Sequence, residues 1–116
     1  MNTARGHRSG KLVRDKIPQL IRSTGAEPSI RVARPAEYSR LLRDKLAEEV
    51  REFLDSGDDL SELADIAEVV LALACDLGYS PDHFEELRIR KAAERGSFTS
   101  RYIWYGNAPR QSRGCP

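Results

Sequence analysis

Two histidines and two cysteines in 116 residues leave little from which to build a soft metal site or a nucleophilic triad. His7 and His83 have no partner at ligand or triad spacing, and both read as structural. Cys75 lies in an apolar run and Cys115 beside the C-terminus, which gives neither a metal-ligand spacing nor a disulfide framework. A reducing, cytoplasmic setting is the expectation. No stretch approaches the roughly 20 apolar residues of a membrane span, and the first residues lack the apolar core of a signal peptide. A basic footprint for nucleic acid is missing too. The formal charge of +1 comes from 19 basic and 18 acidic residues. Arg5, Arg8, Arg110 and Arg113 stand in end segments without an acid, so residues 11–106 hold 15 basic against 18 acidic side chains. Neither a membrane nor a nucleic acid is expected as partner.

With 40% apolar and 32% charged residues the chain suits a charge-laced helical domain better than a disordered one. Residues 11–106 read as that domain, between basic tails over 1–10 and 107–116 that read as disordered. Asp15, Pro18 and Gly25 frame a short helix over 16–23. Residues 26–34 are extended, with Ile30 and Val32 in a short strand. Pro35 opens a long helix to Asp55, stopped by Ser56 and Gly57. Asp59 caps a helix over 60–77 that ends before Gly78, and Ser80-Pro81 starts another that reaches Arg95 and stops at Gly96. SFTSRYIWYG alternates as a strand would, and the reading pairs it with residues 29–33. Trp104, Tyr102 and Tyr105 then serve as an aromatic cover for the helices or as a stacking surface for a base. Short connections make the long helices antiparallel neighbours, so the expected fold is an all-α antiparallel bundle with a minor strand pair. Residues 63–77, LADIAEVVLALACDL, are apolar almost all round, more than a small monomer covers. A homodimer or larger homo-oligomer is the expectation.

Four carboxylates break the apolar pattern. In the helix of residues 35–55, Tyr38, Leu42, Leu46 and Phe53 recur at helical spacing, and Glu49 falls in the same series. Glu52, three residues on, shares its side. Glu62 and Asp65 are also three apart, and their side continues as Val69 and Ala72. About a turn centred on Gly57, Glu52 mirrors Glu62 and Glu49 mirrors Asp65, so an antiparallel hairpin sets each pair at one height. Like charges so placed cannot all stay ionised unaided, and oxygen-only ligands suit a hard cation, Mg²⁺ or Mn²⁺. Ordinary readings exist for each residue alone. Glu62 is placed to close a capping box with Asp59, Glu48 and Glu52 to pair with Lys45, Arg51 or other surface bases, and Glu49 to pair with a base such as Lys45.

EEVRE (48–52) followed by ELAD (62–65) resembles the EExxE…ExxD signature of the all-α nucleoside triphosphate pyrophosphohydrolases, the MazG-like and phosphoribosyl-ATP pyrophosphohydrolase superfamily. KLVRDKIP (11–18), KLAEEVREF (45–53), ELADIAEV (62–69) and KAAERGSF (91–98) together resemble its phosphoribosyl-ATP pyrophosphohydrolase-like branch, across about residues 11–105. The gap between Glu52 and Glu62 is short for the superfamily. The resemblance implies hydrolysis of a nucleoside triphosphate between the α and β phosphates, with monophosphate and pyrophosphate as products. By motif position, Glu49, Glu52, Glu62 and Asp65 would ligate Mg²⁺, Mn²⁺ being the alternative. Glu48 would orient or deprotonate the attacking water, and Glu68 would add a ligand or hold a lysine.

Phosphoryl transfer also needs positive charge for the departing group. Arg88, Lys91 and Arg95 form one basic stripe at helical spacing, either for triphosphate or as a solvated face paired with Glu85, Glu86 and Glu94. KxxxRG matches the family block and favours triphosphate binding for Lys91 and Arg95. Lys11 and Arg14, with Lys16 beside them, are a second basic group, read as phosphate contacts or as surface ion pairs. The expected activity is a Mg²⁺-dependent nucleotide pyrophosphohydrolase that clears non-standard or excess nucleotides. The alternatives are phosphoribosyl-ATP hydrolysis in histidine synthesis and a non-catalytic helical protein that binds a partner.

Overall fold

The computed structural model describes residues 10–110. Among them are four helices and no strand: α1 (Ile17–Arg22), α2 (Pro35–Asp55), α3 (Leu60–Asp76) and α4 (Pro81–Arg95). The fold is all-α. Most of the two tails read as disordered, residues 1–9 and 111–116, lies outside the described residues, as do His7 and Cys115.

Local chemistry accounts for each boundary. Pro18 sits in the first turn of α1, where a missing N–H costs nothing, and Gly25 follows the helix with φ of 94°. Pro35 opens α2, and the Arg34 N–H donates to Glu37 Oε1 at 3.2 Å. Arg31 grips both oxygens of Glu37 at 2.8 and 2.6 Å, which holds that carboxyl down at about 2. Gly57 and Asp58 both take positive φ, 74° and 75°, in the turn after α2. Asp59 then caps α3, its Oδ1 accepting from the Ser61 N–H at 2.9 Å. After α3, Gly78 has φ of 97° and the Tyr79 N–H returns to the Ala74 carbonyl at 3.0 Å, a Schellman-type stop. Ser80 Oγ accepts from the His83 N–H at 3.1 Å and starts α4.

The expected strand pair does not form. Residues 26–34 are extended but hydrogen-bonded to no strand, and residues 97–105 contain a turn instead, with the Arg101 N–H on the Phe98 carbonyl at 3.1 Å. Arg101 has φ of 59°, which breaks the alternation at its centre. Phe98, Tyr102, Ile103, Trp104 and Tyr105 are exposed.

The chain divides into two units, one ending at Phe84 and the other beginning at Glu85. In the first, α2 and α3 pack as an antiparallel pair. Leu42, Val69 and Ala74 are buried in their seam, with Tyr38, Leu46 and Phe53 half-buried beside them. Ser39 Oγ donates to Asp76 Oδ2 at 2.6 Å, tying the start of α2 to the end of α3. That bond and the four-residue turn fix the register of the pair at both ends.

Asp59→Ala removes the acceptor that satisfies the first turn of α3. The denaturation midpoint should drop by the equivalent of about 1 kcal/mol with the slope unchanged.

Candidate metal centre

The seam that buries Leu42 and Val69 also buries a charge. Glu49 occupies the next position of the Tyr38–Leu42–Leu46 series and is 7% exposed. An isolated carboxylate there carries a desolvation cost of several kcal/mol, so its partners decide whether the hairpin tolerates it. Lys45, one turn earlier, reaches Glu49 Oε2 at 3.1 Å and Glu48 Oε1 at 3.2 Å. Burial works to lower the Lys45 pKa, but its hydrogen bonds to Glu49 and Glu48 prevail and raise it, so the ammonium stays charged. Glu49 Oε1 is buried and has no hydrogen-bond partner.

The hairpin brings the other carboxylates to that side chain. Glu49, Glu62 and Asp65 each offer an oxygen within 4.8 Å of the others, and Glu48, Glu49 and Glu52 form a second such group. Glu49 belongs to both. The mirrored placement about the Gly57 turn thus brings all four expected ligands around one buried side chain. Glu62 Oε2 is a second enclosed acceptor without a partner, and Glu62 does not close a capping box at α3, because the Asp59 N–H donates to Ser56 Oγ at 3.1 Å. Desolvation, and then the charges of Glu52, Asp65, Asp59 and Glu49, raise the Glu62 pKa. Glu49 is the main cause of a raised pKa at Glu52. These are the marks of a site holding more negative charge than the described residues neutralise.

Cations from residues 10–16 partly offset it. Lys11 reaches Glu48 Oε2 at 2.9 Å, and Arg14 reaches Asp65 Oδ1 at 2.8 Å and Glu68 Oε1 at 3.9 Å. Both oxygens of Glu48 therefore accept from lysines, and the bond from Lys11 is the largest cause of its lowered pKa. Lys45 is the base that the sequence offered as an ordinary partner for Glu49, and the structure forms that pair. Its spacing of three to Glu48 and four to Glu49 was the available signal. In the second unit, Arg88, Lys91 and Arg95 stand on successive turns of α4 and are exposed. Arg88 spends its guanidinium on Glu85, with Nε at 2.9 Å from Oε1.

Oxygen donors alone, two of them buried and bare, fit a hard divalent cation such as Mg²⁺ or Mn²⁺. They do not fit a soft metal, for which the site offers no sulfur or imidazole.

The chain matches no protein-family model, and no solved structure matches it. It is 52% identical over 42 residues to an uncharacterized protein of Mycolicibacterium smegmatis. That match covers 36% of this chain and 43% of the relative, so it spans less than half the length of either.

The raised carboxyls set a pH dependence in chelator. Glu52 and Glu62 bind protons more tightly folded than unfolded, so rising pH through their folded values costs the native state stability. Below the unfolded values that penalty is absent. Glu62→Gln should therefore raise the melting temperature of the metal-free protein near pH 7. Its advantage over the unaltered chain should shrink as the pH falls to about 5, followed by thermal unfolding at each pH.

Proposed function

We propose that this protein is a divalent-cation-dependent nucleotide pyrophosphohydrolase, splitting a nucleoside triphosphate into monophosphate and pyrophosphate. The observation that carries the reading is Glu49: a carboxylate buried at a leucine position, one oxygen on Lys45 and the other bare, among Glu52, Glu62 and Asp65. A structural ion pair would have no use for the bare oxygen or for three more acids around it. The EExxE…ExxD pattern, with the flanking blocks at 11–18 and 91–98, supplies the reaction class by resemblance to the MazG-like enzymes.

In this reading Glu49, Glu52, Glu62 and Asp65 hold Mg²⁺, or Mn²⁺ in its place. When bound, the cation supplies charge neutralisation at the phosphate oxygens and a site for the attacking water. Glu48, beside the cluster and held by Lys45, orients or deprotonates that water. By resemblance of the KxxxRG block, Lys91 and Arg95 are assigned to the triphosphate, with Arg88 of the same stripe. Lys11 and Arg14 are the other phosphate contacts once they leave Glu48 and Asp65. The setting is a reducing cytoplasm. No helix among the described residues is long and apolar enough to cross a membrane.

The protein works as a homodimer or larger homo-oligomer. Among the described residues no side chain is fully buried, and Leu54 and Leu60 on the α2–α3 pair are 72% and 77% exposed. A helix pair with so thin a core gains too little from burial to offset the entropy of folding alone. Light scattering at micromolar concentration should return a mass at least twice that of one chain, and a monomeric mass would remove this part of the reading.

Pyrophosphate release from a panel of nucleoside triphosphates tests the activity. Release should require Mg²⁺ or Mn²⁺ and stop in chelator. Glu49→Gln, which keeps the shape of the side chain and removes its charge, should lower the rate by about a hundredfold. Metal-independent release, or an unimpaired Glu49→Gln variant, would overturn the assignment.

A further inference from the structure

The segment before α1 runs across the candidate metal centre and is fastened to both of its helices. Lys11 binds Glu48 of α2, and Arg14 binds Asp65 of α3 with Glu68 as a second, longer contact. Beneath it a small cleft is lined by Leu12, Leu41, Asp44, Lys45 and Glu48. The three cations on the carboxylates differ in one respect. Lys45 has a side chain 15% exposed and is bound within its own helix, whereas Lys11 and Arg14 are 63% and 58% exposed. Exposed ion pairs are weak and easily exchanged, while the half-buried Lys45 is held by two carboxylates of its own helix.

We propose that residues 10–16 form a counter-ion strap that competes with the divalent cation for the centre. With the centre empty, Lys11 and Arg14 occupy Glu48 and Asp65 and hold the strap down. A cation bound to Glu49 Oε1, Glu62 and Asp65 places two positive charges beside the Arg14 guanidinium. The strap then lifts, because its two exposed pairs are the weakest links in the cluster. Lys45 stays, since it uses Glu49 Oε2 and leaves Oε1 to the cation. Lifting turns one ammonium and one guanidinium, until then spent on carboxylates, into free cations at the mouth of the loaded site. This rests on the metal-centre reading above and adds to it a resident competitor.

Mn²⁺ affinity measured by titration calorimetry on the full chain separates the two. Lys11→Gln and Arg14→Gln should each tighten Mn²⁺ binding by about threefold, and the double variant by about tenfold. Lys16→Gln makes the same charge change in the same segment, and Lys16 has no ion-pair partner among the described residues, so it should leave the affinity unchanged. A second reading needs no variant. Trypsin cuts after lysine and arginine, and saturating Mg²⁺ should speed cleavage after Lys11 and Arg14 several-fold relative to cleavage after Arg101. If the unaltered chain binds Mn²⁺ but the double variant binds it no tighter, the strap is a brace rather than a competitor, and this proposal falls alone. An equal gain from Lys16→Gln, or a cleavage ratio that Mg²⁺ leaves flat or lowers, overturns it likewise. If the unaltered chain binds no Mn²⁺, the metal centre falls with it.

Discussion

One carboxylate in a leucine position governs the arrangement of this molecule. Glu49 lies in the α2–α3 seam at 7% exposure, nearer the turn than the buried Leu42 and Val69. Its burial can be borne only because Lys45 comes into the same seam from one turn away. A buried pair of this kind contributes little net stability, since desolvation consumes most of its Coulomb gain. A leucine would have packed the seam at lower cost. The chain thus gives up core quality at its centre and keeps Glu49 Oε1 as an enclosed acceptor without a partner.

That acceptor is useful only if α3 presents Glu62 and Asp65 at the right height and angle. One residue of slip would turn α3 by about 100° and carry both away. The register is therefore set twice. At the near end, Gly57 and Asp58 in left-handed conformations and the Asp59 cap allow four residues to reverse the chain. At the far end, Ser39 binds Asp76 at 2.6 Å. The two anchors flank the carboxylates, and neither uses a carboxylate of the centre. The centre can change its charge state without loosening the hairpin that builds it.

Much of this was legible in the residues because it is local. Proline, glycine and capping side chains mark helix ends by the backbone conformations they permit, and the four helices fall where those marks stand. Equal spacing about Gly57 was enough to bring Glu49, Glu52, Glu62 and Asp65 together. What escaped was set by context. Residues 97–105 alternate like a strand, but alternation records which faces differ and not whether a partner exists; Arg101 at positive φ bends the segment instead. Glu62 had the spacing of a capping box, yet Asp59 satisfies Ser61 and leaves Glu62 to the cluster. The Arg14–Asp65 pair joins residues 51 positions apart, beyond the reach of any spacing rule. The spacing of four offered Lys45 as a partner for Glu49, but not how far into the seam its half-buried head reaches, since position alone does not tell such a lysine from an exposed one.

The central claim is that Glu49 is buried in order to hold a divalent cation. Anomalous scattering from crystals grown with Mn²⁺ addresses it most directly, because it locates the ion without reference to any activity. The account predicts a peak within coordination distance of Glu49 Oε1 and shared with Glu62 and Asp65. Peaks confined to exposed carboxylates elsewhere, with the space at Glu49 Oε1 empty at saturating Mn²⁺, would contradict it.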